Sequence, residues 1–270
     1  MRYFNKNDIK NIKSYNFDFI ELFELNHILT VTLNRPKKKN ALHPQMINEI
    51  AFAFQYASNN DNIRALKLKS KGNVFCSGLD LKALAGDVEK NNSTVPIANS
   101  KILIGDLFNK LYKPKICQLE GDVFAGGLLL VAGCNYVISI DGLKLGLPEV
   151  KRGLFPMQVM ESLSKVIPNK KVIDWCIRGY DLDVKIANKW GLISQIVDQS
   201  KIESSVSKWL SEVTNNSPTA IKYGLEANYK INTSESNHVY LSEMLDLVLN
   251  SNDAKEGISA FKEKRKPNWN

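Results

Sequence analysis

The sequence between Lys115 and Pro156 combines a glycine-rich turn with one acidic residue that follows a proline. Gly126-Gly127 comes after an apolar strand pattern and opens a short apolar helix. Glycine lets a ligand approach the backbone closely, and the first N–H groups of a helix have no partner inside it. Such donors stabilise developing negative charge, and Glu149 is a candidate acid or base downstream. We therefore predict one pocket with an anion-binding turn and a carboxylate, a set suited to enolate chemistry on a thioester.

A further glycine, Gly78, stands in the run Ser77–Asp80, beside a turn that could open another helix. Two N–H groups that converge on one carbonyl oxygen from separate turns form an oxyanion hole. The spacing alone leaves simpler interpretations open. Gly78 could serve only a tight turn, and Gly126-Gly127 only the close packing of a helix on a strand.

The composition is that of an ordinary globular protein, with 270 residues of which 44% are hydrophobic. No stretch approaches the roughly 18 to 20 apolar residues that span a bilayer. The start, MRYFNKNDIKNIKSYNF, lacks the apolar region of a secretory signal. We therefore expect no membrane partner and a cytoplasmic location.

The cysteines and histidines show no metal-ligand spacing, so we predict no metal site. The cysteines stand in apolar surroundings without a C-x-x-C pair, which favours buried free thiols in a reducing compartment. Structural or surface positions are expected for the histidines. The residues concerned are Cys76, Cys117, Cys134, Cys176, His27, His43 and His238.

The formal net charge of +8 at pH 7 admits two interpretations. A basic surface could bind nucleic acid, or it could attract a polyanionic small molecule such as a phosphorylated cofactor. The lysines are spread along the whole chain and form no patch interleaved with aromatic residues. Diffuse solubilising charge is the better interpretation, and no nucleic-acid partner is expected.

The hydrophobic periodicity divides the chain into three parts. Residues 1–16 are polar and are expected to form a loose arm. Strand and helix patterns alternate over residues 17–198, and only helical patterns follow in residues 199–270, which predicts an α/β core with a helical C-terminal region. Within the core, residues 85–96 are expected to be a mobile loop that shapes the pocket, and residues 97–111 a helix.

Short motifs along about residues 17–267 add a resemblance to this interpretation. They are TLNRP (32–36) with NAL (40–42), FCSGLDL (75–81), AGG (125–127) with Cys134, LPE (147–149) with GLFP (153–156), Ala187 with WGL (190–192), and DAKEG (253–257) with FKEKRKP (261–267). Each motif is weak alone, but in this order and spacing they resemble the crotonase superfamily, also called the enoyl-CoA hydratase/isomerase family.

The resemblance implies an architecture and a substrate. The expected fold is an α/β crotonase-like spiral of ββα turns, with a C-terminal helical region that packs on neighbouring subunits in a homotrimer or a dimer of trimers. The expected substrate is a thioester of coenzyme A, or in some members an acyl group on a carrier protein. Coenzyme A is then part of the substrate, and no prosthetic group is expected.

The resemblance also implies roles for individual residues. The N–H groups of Leu79 and Gly126 would form the oxyanion hole, Glu149 would be the acid/base group, and Leu129 and Phe155 would line the acyl pocket. Phe261 and Lys264 would reach a neighbour's coenzyme A, although a plain basic tail is an alternative. The remaining expected contacts to coenzyme A are Lys38, Lys39, Ala41, Ser77 and Leu81.

One departure from the family pattern bears on the reaction. Hydratases of this family commonly use two glutamates, and the first of them corresponds to Leu129, so only Glu149 is kept. Hydration needs both a base for water and an acid for carbon, whereas one base can move a proton from C2 to C4. The pattern therefore favours double-bond isomerisation over hydration. A second acid could come from elsewhere, with Asp122, Glu120 and Glu161 as candidates.

Three alternatives stay open. Glu149 could be a solvated loop carboxylate or an ion-pair partner of Lys151 or Arg152. The glycine-rich helix start and the GLFP motif are also similar to crotonase-like dehydratases that act on carrier-protein-bound polyketide intermediates. A function of another class would be a basic, non-catalytic scaffold that binds polyanions, with salt-sensitive binding and no turnover.

Overall fold

A computed structural model describes residues 3–87, 89–232, 242–243, 245–246 and 249–267 of the chain. Its strands are β1 (Ile20–Leu25), β2 (Ile28–Leu33), β3 (Ala65–Ser70), β4 (Val74–Cys76), β5 (Lys115–Leu119), β6 (Asp122–Phe124), β7 (Tyr136–Ile140), β8 (Lys144–Gly146), β9 (Asp181–Asp183) and β10 (Gln195–Val197). Its α-helices are α1 (Lys6–Lys10), α2 (Pro44–Asn59), α3 (Leu81–Leu84), α4 (Ile104–Asn109), α5 (Gly127–Ala132), α6 (Met157–Ser164), α7 (Asn169–Arg178), α8 (Val184–Lys189), α9 (Ile202–Thr214), α10 (Pro218–Asn232) and α11 (Asn252–Glu263).

The larger sheet begins with a hairpin and continues in parallel. Its order is β1-β2-β3-β5-β7-β10, with β1 antiparallel to β2 and every later pair parallel. Asn26 and His27 link the hairpin strands with φ angles of 50° and 66°, the left-handed backbone that matches the twist of two antiparallel strands. Most residues of the central strands β3 and β5 are buried on both faces, as is usual for parallel strands within a covered sheet.

The smaller sheet contains β4, β6 and β8, which alternate along the chain with strands of the larger sheet, and also β9. Its order is β4-β6-β8-β9, so the chain passes from one sheet to the other and then into a helix or turn before it returns. This alternation is the spiral of ββα turns that the resemblance implies. It brings the ends of β4 and β6 side by side, and both glycine turns predicted from the sequence follow these ends.

The first residues of the chain are folded against the core, which differs from the expected loose arm. Phe4, Ile9 and Ile12 are buried, and the ring of Phe4 packs edge-on against Phe52 of α2 at 4.9 Å. The Gln55 side chain accepts hydrogen bonds from the backbone N–H groups of residues 3 and 4. Apolar residues at helical spacing within a polar segment therefore tie this arm down.

The expected helix over residues 97–111 is shorter in the structure. Only α4 forms, because the side-chain amide of Asn48 holds the preceding backbone extended. It donates to the Pro96 carbonyl at 2.8 Å and accepts from the Ala98 N–H at 2.9 Å. The neighbouring loop is also held, since Asn16 and Thr94 exchange hydrogen bonds. These tertiary contacts outweigh the local helical pattern.

Only helices follow β10 in the described part of the chain. Helix α9 packs under the larger sheet, whereas α10 buries none of its described side chains. Helix α11 packs on the 3-10 helix Pro148–Arg152, and a Cβ atom added at Gly257 would lie 2.1 Å from the Arg152 carbonyl oxygen. Residues 237–250 of the predicted helical region lie largely outside the described residues. No described helix has both the length and the apolar content to cross a bilayer.

Candidate active site

The turn after β6 places Gly126 in the wall of a cavity. Ala125 has a φ of 53°, a left-handed conformation that is uncommon for a residue with a side chain. The hydrogen bond from the Ala125 N–H to the Gly146 carbonyl, at 2.8 Å, fixes this conformation. Helix α5 starts directly afterwards, and its first N–H groups have no partner within the helix.

The run after β4 brings the Leu79 N–H group next to the Gly126 turn. A Cβ atom added at Gly126 would lie 3.6 Å from both the Leu79 nitrogen and the Gly78 Cα. A Cβ atom added at Gly78 would lie 2.5 Å from the Ala125 Cβ and 3.0 Å from the Gly126 nitrogen. Gly78 also has a φ of +90°. A side chain at Gly78 would block this close approach, whereas a Cβ atom at Gly126 would make only ordinary contacts.

A short two-stranded contact and a buried arginine hold the Leu79 turn. The Leu42 N–H donates to the Gly78 carbonyl at 2.7 Å, and the Asp80 N–H donates to the Leu42 carbonyl at 3.2 Å. The Arg35 guanidinium pairs with Asp80 at 2.7 Å. Burial alone would raise the pKa of Asp80, but the hydrogen bonds from Arg35 and from the start of α3 hold it below its usual value. The carboxylate therefore stays charged and anchors the turn.

A cavity of about 270 Å³ lies in front of the two turns and has mainly apolar walls. Its wall includes the loop before α4 and the segment between the 3-10 helix Pro148–Arg152 and α6. Described residues between 242 and 249 also contribute to it. No described residue of 85–96 lines it, so the expectation that this loop shapes the pocket is wrong for the described residues. The predicted site residues that line the cavity are Ser77, Leu79, Leu81, Gly126, Leu129, Glu149 and Phe155.

Glu149 is buried in the wall of this cavity, with 9% of its surface exposed. It lies on the 3-10 helix Pro148–Arg152. Its Oε2 atom has no hydrogen-bond partner among the described residues, and it forms no ion pair there. The alternative of an ion pair with Lys151 or Arg152 is therefore wrong. Burial raises the pKa of Glu149 to about 7, against smaller opposing effects of its own backbone N–H and of the Arg152 charge.

Leu129 occupies the position of the second family carboxylate and is buried on α5 facing the cavity. None of the three candidate second acids is among the residues that line the cavity. Asp122 accepts from the Lys144 N–H at 2.9 Å, and Glu120 accepts from the side-chain amide of Gln118 at 2.6 Å. Glu161 pairs with Lys165 at 2.7 Å.

The predicted contacts to coenzyme A fall into two groups. Lys38, Lys39 and Ala41 form a loop next to Ser77 of the cavity wall, since the Ser77 N–H donates to the Lys39 carbonyl at 3.1 Å. Both lysine side chains are exposed. Phe261 lies on the other side, against Arg152 of the same chain, and Lys264 ends α11 with a φ of 56°. Contact of the second group with a neighbouring subunit stays a prediction.

Sequence reasoning missed two charged features of the cavity wall. Arg152 lines it, although the sequence indicated this residue only as a possible partner of Glu149. Lys101 pairs with Asp246 at 3.5 Å across the rim and donates to the Ser242 hydroxyl at 2.6 Å. No local sequence pattern indicates the contacts of Lys101, because Ser242 and Asp246 are about 140 residues away in the chain. Among the described residues, no cluster of three or more His, Cys, Asp or Glu could hold a metal ion.

Comparison with known proteins places this architecture in one family. The family model described as enoyl-CoA hydratase/isomerase matches residues 24–270. The enoyl-CoA hydratase EchA19 of Mycobacterium tuberculosis is 31% identical over 250 residues, covering 90% of this chain and 93% of that protein. The mevalonyl-coenzyme A hydratase sidH of Aspergillus fumigatus is 26% identical, covering 92% of this chain and 93% of that protein.

Solved structures agree on the fold. Carnitinyl-CoA hydratase from Mycobacterium avium superposes with a TM-score of 0.83 at 24% identity, covering 94% of this chain and 99% of that chain. An enoyl-CoA hydratase/isomerase from Pseudoalteromonas atlantica also gives 0.83 at 23% identity, covering 93% and 100%. The chain belongs to the enoyl-CoA hydratase/isomerase family and has the crotonase fold, which confirms both expectations. It is an enzyme of that family that acts on CoA thioesters.

Gly78→Ala tests the close approach of the two turns. We expect the substitution to lower the free energy of unfolding by about 2 to 5 kcal/mol, because left-handed strain adds to the clash with Ala125. Gly86→Ala is the matched control, since Gly86 also has positive φ (+86°) but no atom within 4 Å of an added Cβ. That variant should lose only about 1 to 2 kcal/mol, from backbone strain. Urea unfolding of both variants measures the difference, and equal losses would show that the approach is not tight.

Proposed function

We propose that this chain shifts the double bond of an enoyl-CoA thioester, with Glu149 as the single acid/base group. One observation carries the proposal. Glu149 is buried without a partner among the described residues, in the same cavity wall as the Leu79 and Gly126 turns, and Leu129 fills the place of a second carboxylate. The other described carboxylate at this cavity, Asp246, is paired with Lys101.

The reaction begins when the Glu149 carboxylate takes a proton from C2 of a 3-enoyl thioester. The electron pair moves onto the thioester carbonyl oxygen, and the N–H groups of Leu79 and Gly126 stabilise that oxyanion. The Glu149 carboxylic acid then returns the proton at C4, and the double bond closes between C2 and C3. One proton leaves and returns, so no water or second acid is required.

The raised pKa of Glu149 sets the direction of the pH dependence. Below about pH 7 the folded protein holds Glu149 protonated, and the carboxylic acid cannot accept the C2 proton. The unfolded chain would lose this proton near pH 4.5, so the folded state binds more protons between about 4.5 and 7. The free energy of unfolding therefore falls as the pH rises through this window.

Hydration is the second candidate, and the relatives favour it. EchA19 and sidH are both named as hydratases. Hydration by this chain would need Glu149 to serve both the water and the α-carbon, or a second acid from outside the described cavity wall. The dry, aliphatic contact that Leu129 supplies disfavours a bound water at that place.

Glu149→Gln tests the acid/base role and the choice of reaction. Purified protein would be assayed in parallel with crotonyl-CoA and a 3-enoyl-CoA by ultraviolet absorbance. We expect conversion of the 3-enoyl substrate, with kcat/KM rising with pH to a plateau above about pH 7. In the variant, we expect kcat/KM to fall by about 10²- to 10⁴-fold. Robust hydration of crotonyl-CoA by the wild type would contradict the one-base reaction. No activity on either substrate would favour a carrier-bound substrate or the non-catalytic scaffold.

Leu129→Glu tests whether the missing carboxylate decides between the two reactions. We expect this variant to gain crotonyl-CoA hydration over the wild type, because the pair of carboxylates could then hold and activate a water. Leu129→Gln is the matched control, because glutamine has nearly the same shape as glutamate but no titratable group. Gain of hydration in both variants would show that polarity alone admits the water, and gain in neither would remove Leu129 as the deciding residue.

We further propose that the chain forms a homotrimer or a dimer of trimers. Helix α10 supports this, since it exposes Tyr223 to 64% and buries none of its described side chains. An amphipathic helix in that state commonly packs on another chain. A cytoplasmic location also stays a prediction, and several similar proteins are named as mitochondrial.

Light scattering after size exclusion tests the assembly. The wild type should have three or six times the 30.4 kDa mass of the chain. Tyr223→Glu should shift it to smaller species, because a charge would be buried in the contact. Ile177→Glu is the control, since Ile177 is 61% exposed on α7, away from α10. A monomeric wild type would contradict the proposed assembly.

A further inference from the structure

Arg152 lies in the wall of the candidate active site, one turn after Glu149. Both residues belong to the 3-10 helix Pro148–Arg152. Residues three apart on such a helix lie above one another, about 6 Å along the axis. Both side chains line the same cavity, and the Arg152 guanidinium stacks on the Phe261 ring at 4.7 Å. A cation is therefore held close to the acid/base group.

The guanidinium of Arg152 makes no hydrogen bond and no ion pair with any residue that the structure describes. Every other arginine in the described ranges has a polar partner. Arg35 pairs with Asp80 and Glu89, and Arg265 pairs with Glu256 and Glu263. The remaining two are Arg64, which donates to the Thr214 carbonyl, and Arg178, which pairs with Asp174.

Leaving a half-buried guanidinium unpaired has an energetic cost. Burial lowers the pKa of Arg152, which shows that the cavity disfavours its charge. Buried charges in proteins are normally paired, because desolvation is not otherwise offset. The five N–H donors of the guanidinium form a fork that matches a carboxylate in a bidentate arrangement. The guanidinium lacks a polar partner among the described residues, and a carboxylate that arrives with the substrate would supply one.

The other charges at the cavity do not satisfy this need. Asp246 is already paired with Lys101 at 3.5 Å. Glu149 attracts Arg152 at a distance but makes no hydrogen bond to it, and the raised pKa leaves Glu149 largely neutral below about pH 7. While Glu149 is protonated, the described cavity wall therefore carries one uncompensated positive charge, which an anionic acyl group would balance.

We propose that Arg152 binds a carboxylate on the acyl group of the substrate, so that the preferred substrates are CoA thioesters of short dicarboxylic acids. This inference rests on the proposed function for the placement of the thioester in the cavity. The one-turn spacing between Glu149 and Arg152 places the second carboxylate a few carbons from the carbon that exchanges its proton. Arg152 is then a specificity residue that contacts the end of the acyl group.

Binding of saturated thioesters tests this proposal without any turnover. Isothermal titration would compare glutaryl-CoA with butyryl-CoA, which differ by a terminal carboxymethyl in place of a methyl group. We expect the wild type to bind glutaryl-CoA at least about 10-fold more tightly, since a hydrogen bond to a charged group is worth about that factor or more. Arg152→Met should remove this preference, and Arg152→Lys should keep part of it because the charge remains.

Lys151→Met is the matched control, because Lys151 is the adjacent basic residue on the same helix and is exposed outside the cavity. It should keep the wild-type preference. Equal binding of the two thioesters by the wild type would overturn the proposal, as would equal preference in Arg152→Met and wild type. If Arg152→Met does not fold, the ratio of the two affinities in the wild type and in Arg152→Lys still tests the proposal.

Turnover separates this inference from the proposed function. The unsaturated pair, glutaconyl-CoA and crotonyl-CoA, would be assayed for proton exchange at C4 in deuterated water. Preference for the dicarboxylic thioester in binding without any exchange would contradict the proposed reaction but support the role of Arg152. Exchange at equal kcat/KM for both thioesters, with no preference in binding, would support the reaction and overturn the role of Arg152.

Discussion

The close approach of two backbone turns is the constraint on which the site depends. A Cβ atom added at Gly127 would lie 2.8 Å from the Cys76 carbonyl oxygen, and one at Gly78 would meet Ala125 at 2.5 Å. Both contacts join the end of β4 to the start of α5 across the smaller sheet. Because no side chain separates the turns, Leu79 and Gly126 line the same cavity. Stabilisation of an oxyanion by these two turns would therefore depend on backbone shape, which the surrounding side chains help to fix.

The charges around these turns suit an anionic intermediate. Arg35 and Asp80 neutralise each other behind the Leu79 turn, so the charge of Asp80 does not oppose an oxyanion. In front of it, Leu129 contributes no charge, and Glu149 is the acid/base candidate with a pKa of about 7. A second carboxylate at position 129 would raise that pKa further, because two like charges in one dry cavity disfavour ionisation. Replacement of that carboxylate by leucine thus keeps Glu149 available as a base near neutral pH.

The sequence predicted what depends on local pattern and on glycine. The alternation of strand and helix, the turns at Gly78 and Gly126, and the burial of Leu129 all follow from such signals. Prediction from the sequence failed where side chains that are distant in the chain determine the backbone conformation. Asn48 keeps residues 96–98 extended, and Gln55 with Phe52 ties down the N-terminal residues. It also left the role of Arg152 open, because whether a guanidinium finds a partner is a property of the assembled cavity.

The C-terminal helix α11 supports the segment that carries Glu149. Helix α11 packs on the 3-10 helix that carries Glu149, and Gly257 is needed there because the Arg152 carbonyl lies where a Cβ atom would be. Phe261 of the same helix covers the Arg152 guanidinium at 4.7 Å. The orientation of both Glu149 and Arg152 therefore depends on how α11 is seated. A region that the resemblance associates with contacts between subunits thus also positions the candidate acid/base group and the proposed specificity residue of its own chain.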